Sequence, residues 1–163
     1  ASAPVICPAS GNAASSVQIN QMFMNATVEE IPEGFFEGLS AVKYISQLFE
    51  YATFNVPPRS GMFKGLINAT AGAEMFYGTN LTEIPSGIFE GLGEQSASLD
   101  MSKAFFGCKS LTHVPADVFD AIATKVTTLK DCFRTCENLK TVADGFANES
   151  PEYRQSLLWV HFA

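Results

Sequence analysis

Met75-Phe76-Tyr77-Gly78-Thr79-Asn80-Leu81-Thr82-Glu83-Ile84-Pro85 is a phrase that returns, altered, along most of this chain. Its phenylalanine belongs to a series, Phe23, Phe49, Phe76, Phe105 and Phe133, spaced by 26, 27, 29 and 28 residues. An internal period of that size marks stacked supersecondary units, none of which can bury its apolar side alone. Downstream of the anchor runs an aliphatic pair ending at or near proline. It is Val28 to Pro32, Leu81 to Pro85, Leu111 to Pro115 and Leu139 to Ala143, with a degraded second copy, Phe54 to Pro58. An aromatic residue with an aliphatic one three places on comes next: Phe36 and Leu39, Phe63 and Leu66, Phe89 and Leu92, Phe119 and Ile122.

Upstream of each anchor lies a stretch of period-two alternation, at 17–22, 43–48, 70–75, 99–104 and 127–132. That period suits a short, half-buried strand. One strand per repeat, stacked in register, predicts a single parallel sheet without hairpins. The proline that closes each Ile-Pro or Val-Pro has no N–H to donate, so the ladder cannot continue through it and the chain turns there. The phrases at 34–39 and 87–92, Gly-Phe-Phe-Glu-Gly-Leu and Gly-Ile-Phe-Glu-Gly-Leu, then predict a helical or 3-10 turn that packs Phe and Leu inward.

The pattern Leu-x-x-Ile-Pro-x-x-Phe-x-x-Leu followed by Leu-x-Met-x-x-Ala-x-Phe resembles leucine-rich repeats. More narrowly, residues 75–85 and 105–115 are similar to the BspA-like surface repeats of gut and oral Bacteroidetes. The likeness covers about residues 17 to 147. It departs at the asparagine-ladder position, where Met22, Leu48, Met75, Ala104 and Cys132 stand instead. The resemblance implies a curved repeat domain on a secreted or surface protein that binds other macromolecules. The expected architecture is therefore α/β: a leucine-rich-repeat solenoid of about five right-handed coils, with one parallel sheet and short helical or 3-10 turns opposite. Residues 1–16 read as an amino-terminal tail or cap, 17–147 as the solenoid and 148–163 as a carboxy-terminal cap carrying the only tryptophan, Trp159.

Composition narrows the function classes. Of 163 residues, 47% are hydrophobic and 12% aromatic, ample for a core and contrary to disorder. No apolar run approaches the roughly 20 residues needed to span a bilayer, so direct membrane insertion is not expected. Seventeen acidic against ten basic residues give a net charge of −7, and Lys and Arg are scattered singly. Nucleic acid and anionic membrane surfaces are therefore poor partners.

Four cysteines leave three readings. Cys108 and Cys136 share a repeat position and stack about one strand spacing apart, near the range for a disulfide. Ladder side chains point the same way, however, which favours a reduced buried ladder, with Cys132 in the core and Cys7 alone. A zinc set needs more partners than His113 and His161 supply, so no metal or cofactor is expected. A nucleophile would need a base and an orienting acid, and phosphate-binding glycine loops are missing, so the chain reads as no enzyme. Carboxylates such as Glu29, Glu30, Glu33 and Glu37 recur at copy-equivalent positions (Glu83, Glu90), which argues for a solvated face. Sequons at Asn25, Asn68, Asn80 and Asn148 are taken as unmodified.

The remaining expectation is a polar concave face. It comprises Gln18, Asn20, Gln21, Tyr44, Ser46, Gln47, Glu74, Asp100, Ser102, Lys103, Thr128, Lys130 and Asp131. Polar rows with few large anchors suit a protein or glycan ligand better than a small molecule. Two functions follow: a non-catalytic binding module of a secreted or cell-surface bacterial protein, or a structural spacer in a larger surface or phage-tail protein.

Overall fold

A computed structural model describes residues 17–142. Its repeating device is a main-chain relay at the anchors. Phe23 N–H donates to Leu48 O at 2.9 Å, Phe49 to Met75 O at 2.9 Å, Phe76 to Ala104 O at 2.8 Å and Phe105 to Cys132 O at 3.0 Å. Two residues earlier Gln21, Gln47, Glu74 and Lys103 do the same, and two residues later so do Asn25, Tyr51, Gly78 and Gly107. Alternate amides thus bind each repeat to the next. Between them run bonds such as Met24 N–H to Gln21 O and Ala26 N–H to Phe23 O, which close local turns.

Those turns overturn the expected α/β leucine-rich-repeat solenoid of five right-handed coils with one parallel sheet. The chain is mostly turns and loops. Its strands are β1 (Val17–Gln18), β2 (Thr27–Val28), β3 (Val42–Tyr44), β4 (Thr53–Phe54), β5 (Leu99–Asp100), β6 (His113–Val114), β7 (Val126–Thr128) and β8 (Thr141–Val142). They form four separate parallel pairs, β1–β3, β2–β4, β5–β7 and β6–β8. In the middle repeats the strand pairing is reduced to single bridges at Tyr44–Ala71, Ala71–Asp100 and Glu83–His113. The physical reason is the backbone at the residue two before each anchor. Gln21, Gln47, Glu74, Lys103 and Asp131 all have φ between 53 and 60°. A left-handed residue ends the pleat, so the alternation at 17–22 and its copies yields at most three residues of strand, and at 70–75 a single bridging residue.

The helical expectation fails for a related reason. Among the described residues there is no α-helix and one 3-10 helix, Asp120–Ile122. In the first three copies the arm after the proline carries Gly38, Gly65 and Gly91 at φ 82, 106 and 82°. The fourth copy has Ala121 there. Alanine resists that conformation, and in that copy the arm closes as a 3-10 turn instead. Gly65 is also held by close approach: a Cβ on it would lie 2.2 Å from Phe36 O.

The core consists of two aromatic columns. Consecutive anchors Phe23, Phe49, Phe76, Phe105 and Phe133 have ring centroids 5.1, 5.4, 5.2 and 5.5 Å apart and planes within 11° of parallel. The second column, Phe36, Phe63, Phe89 and Phe119, stacks at 5.9, 5.9 and 5.8 Å. Tilted contacts such as Phe63–Phe76 at 6.0 Å and Phe89–Phe105 at 6.1 Å lock the two together. Identical rings stack because the relay holds successive repeats in register. Every ring but Phe23, half-buried at the edge, is sealed from water. No helix among the described residues is long and apolar enough to cross a membrane. The expected caps at 1–16 and 148–163, with Cys7, Trp159 and His161, lie outside the described residues, as do the last five of the 17–147 repeat segment.

Candidate ligand-binding face

The strand-side residues expected to form one face do come together, and the structure shows what they are bonded to. Asn20 Oδ1 accepts from Ser46 N–H at 2.9 Å, while its amide donates to Gln18 Oε1 at 3.2 Å. Asp100 Oδ1 accepts from Ser102 N–H at 2.8 Å, and Thr128 Oγ1 from Lys130 N–H at 3.2 Å. These side chains satisfy amides at the point where the left-handed residue breaks the strand. The next row forms a chain of its own. Gln21 Nε2 donates to Gln47 Oε1 at 2.6 Å, Gln47 Nε2 to Glu74 Oε2 at 2.8 Å, and Lys103 Nζ to Glu74 Oε1 at 3.0 Å. Asp131 is buried, 3.8 Å from the Arg134 guanidinium. Much of the expected binding row is therefore engaged with itself. Tyr44, 39% exposed, is its large outward side chain.

Sequence reasoning missed the neighbouring row, which consists of the residues just after each anchor: Met24, Glu50, Tyr77, Phe106 and Arg134. Left-handed residues on both sides of the anchor, Gln47 and Tyr51 around Phe49 for example, swing this position outward. Tyr77 and Phe106 stack face to face, centroids 4.8 Å apart and planes 7° from parallel. Tyr51 meets Tyr77 edge-on at 5.3 Å and 76°. The Tyr51 ring also lies across Gly78, where a Cβ would be 2.5 Å from a ring carbon. A signal was present in the aromatic doublets Phe76-Tyr77 and Phe105-Phe106, since only one ring of each can enter the column.

Glu50 lies in the same row. It is 8% exposed, and its Oε2 has no hydrogen-bond partner. Burial, and then the charge of Glu74, push its carboxyl above the usual carboxylate range. The Tyr51 phenol is raised chiefly by its hydrogen bond with Tyr77, with smaller contributions from the charges of Glu50 and Glu74. Three half-exposed or exposed rings thus border a negative, partly dry corner.

Other candidates offer less. Cys108, Cys132 and Cys136 are free and buried. The thiols of Cys108 and Cys136 each donate to an anchor carbonyl, Phe76 O and Phe105 O, at 3.1 Å. Burial raises Cys108 to about 11, and the other two also rise, so all three stay protonated and unreactive. His113 Nδ1 lies 2.6 Å from Thr141 Oγ1 on the surface. Among the described residues no three His, Cys, Asp or Glu side chains gather as metal ligands. A groove of about 170 Å³ opens between Phe54, Pro57 and Asn80 to Glu83, where the second row of strands is interrupted. There Asn80 substitutes for a strand, accepting from Phe54 N–H at 2.8 Å and donating to Phe54 O at 3.1 Å.

What fold and surface define is a stack of short repeats bearing one polar face and one aromatic-acidic row. No family model, no curated protein and no solved structure matches the chain.

Proposed function

We propose that this chain is a non-catalytic binding module of a secreted or cell-surface bacterial protein, and that it holds a protein or glycan ligand. The observation that carries the reading is the aromatic cluster of Tyr77 and Phe106 in the outer row with Tyr51 beside it. These rings contribute little to the columns, yet they are held in fixed mutual geometry at the surface. Aromatic side chains so presented give large contact area at low entropic cost, which is why they dominate interface energetics. The similarity of residues 75–85 and 105–115 to BspA-like surface repeats supports the location. A second reading, a spacer holding another domain at a distance, is favoured by the self-bonded row Gln21–Gln47–Glu74–Lys103.

The test is an array of glycans and extracellular proteins probed with the wild type, Tyr51→Ala and Tyr44→Ala. The binding reading expects a ligand whose signal falls with Tyr51→Ala. A signal lost with Tyr44→Ala alone returns the site to the strand-side face. No ligand in any class leaves the spacer as the function.

A further inference from the structure

Resting on the binding reading, a narrower assignment follows: we propose that the exposed face of Tyr51 is the seat for an arginine side chain of a basic protein partner. Three independent features lead there.

The seat is rigid. Tyr51 is 49% exposed, yet its ring is held by Gly78 beneath it and by the edge contact with Tyr77. A flat π-face already fixed in place costs little ordering when a planar cation stacks on it.

The corner beside it has two carboxylates and one cation paired with one of them. Glu50 is buried with an oxygen that no group donates to, and Glu74 adds a second carboxylate. Lys103 pairs with Glu74 at 3.0 Å, which leaves Glu50 uncompensated in that pairing. A cation laid on Tyr51, the chain neighbour of Glu50, adds positive charge beside the carboxylate oxygen that has no donor. The whole chain, at −7, steers basic partners towards it.

The chain also contains its own template. In the last described repeat the position held by Tyr77 and Phe106 is taken by Arg134, and the position held by Glu74 is taken by Asp131. Gly107 N–H donates to Arg134 O at 2.9 Å, so the arginine follows Phe106 directly in the row. Its guanidinium lies 3.8 Å from Asp131 Oδ1. A guanidinium beside a carboxylate at the end of this row is the charge pairing proposed for the partner beside Glu50. The planar, weakly hydrated guanidinium both stacks and donates, whereas an ammonium is a strongly hydrated point charge. That difference selects arginine over lysine.

The experiment titrates hexa-arginine, hexa-lysine and maltohexaose into the full chain at 150 mM salt, following tyrosine ring resonances. Circular dichroism verifies that each variant is folded. Hexa-arginine is expected to saturate and to bind about tenfold more tightly than hexa-lysine. Tyr51→Leu, which keeps apolar bulk, and the isosteric Glu50→Gln should each weaken it by about tenfold. Glu94→Gln removes one exposed acid on the glycine-bearing arm and should change affinity less than about twofold. Equal binding of the two peptides, or an equal loss from Glu94→Gln and Glu50→Gln, would mean diffuse acidity and would overturn the assignment. Saturation by maltohexaose but not hexa-arginine would overturn it and leave the binding reading standing. Failure of every probe here and on the array would remove both.

Discussion

The anchor column and the row beside it are adjacent in sequence and opposite in behaviour. At the anchor, five repeats carry the same residue, phenylalanine, and the rings stack within 11° of parallel. One residue later the same five repeats carry methionine, glutamate, tyrosine, phenylalanine and arginine. A buried position stacked on its own copies permits little variation, because every ring must match the spacing of its neighbours. An outward position is free of that demand. Repetition in this molecule marks the stacked core, and its breakdown marks the row outside it.

The comparison is broken most forcefully at Phe105. Phe105→Ala should cost about 3–5 kcal/mol in denaturant unfolding, from lost transfer energy plus a cavity between two stacked rings. A cost below about 1 kcal/mol would mean that the column carries no special weight. Gly65→Ala comes next, at about 2–3 kcal/mol, because it combines positive φ with a backbone clash against Phe36. Ala121→Gly, the reverse change at the equivalent position, should cost no more than about 1 kcal/mol. Thermal melts of the two variants distinguish a fixed glycine arm from a tolerant one.

In the outer row the sign reverses. Glu50→Gln should raise stability modestly at pH 7, since a neutral amide avoids the charge burial that the carboxylate bears. The pH dependence follows from the raised carboxyl of Glu50. Because its folded value lies above the ordinary 4.5, the native state holds the proton more tightly. The wild type is therefore relieved of the charge below that ordinary value and loses stability as pH rises through the folded one. Unfolding of both proteins at pH 4 and pH 7 should show their difference opening between those points; a constant gap would assign the effect to packing. The smallest change is expected for Tyr51→Ala, within about 0.5 kcal/mol in stability while ligand signal is lost. A large loss of stability there would place Tyr51 with the columns.

Much of this was legible in the residues. The phenylalanine spacing predicted a buried spine, and the shared position of Cys108 and Cys136 predicted free, stacked thiols. The architecture was misread because alternation was taken for extended strand. Gln47, Glu74 and Lys103 are polar residues in an alternating stretch, and nothing in their identity announces a positive φ. The phrases at 34–39 and 87–92 predict a helical or 3-10 turn, whereas Gly38 and Gly91, like Gly65 in the copy between them, supply left-handed turns, and the one copy with alanine there is the one with a 3-10 helix. The row after each anchor escaped notice for the same reason, because its place beside Tyr51 depends on left-handed residues on both sides of the anchor.

By itself the sequence determined the period, the two aromatic columns and the acidity of the surface. These depend on residue type and spacing, which a linear reading counts directly. Only the tertiary structure decided that the strands stop after three residues at most, that the residue after each anchor leaves the column for a neighbouring row, and that Glu50 is left without a donor. Each of those outcomes depends on backbone dihedrals and on which neighbour in the next repeat accepts a given hydrogen bond. Such choices are made jointly by residues some 27 places apart, when one repeat settles on another.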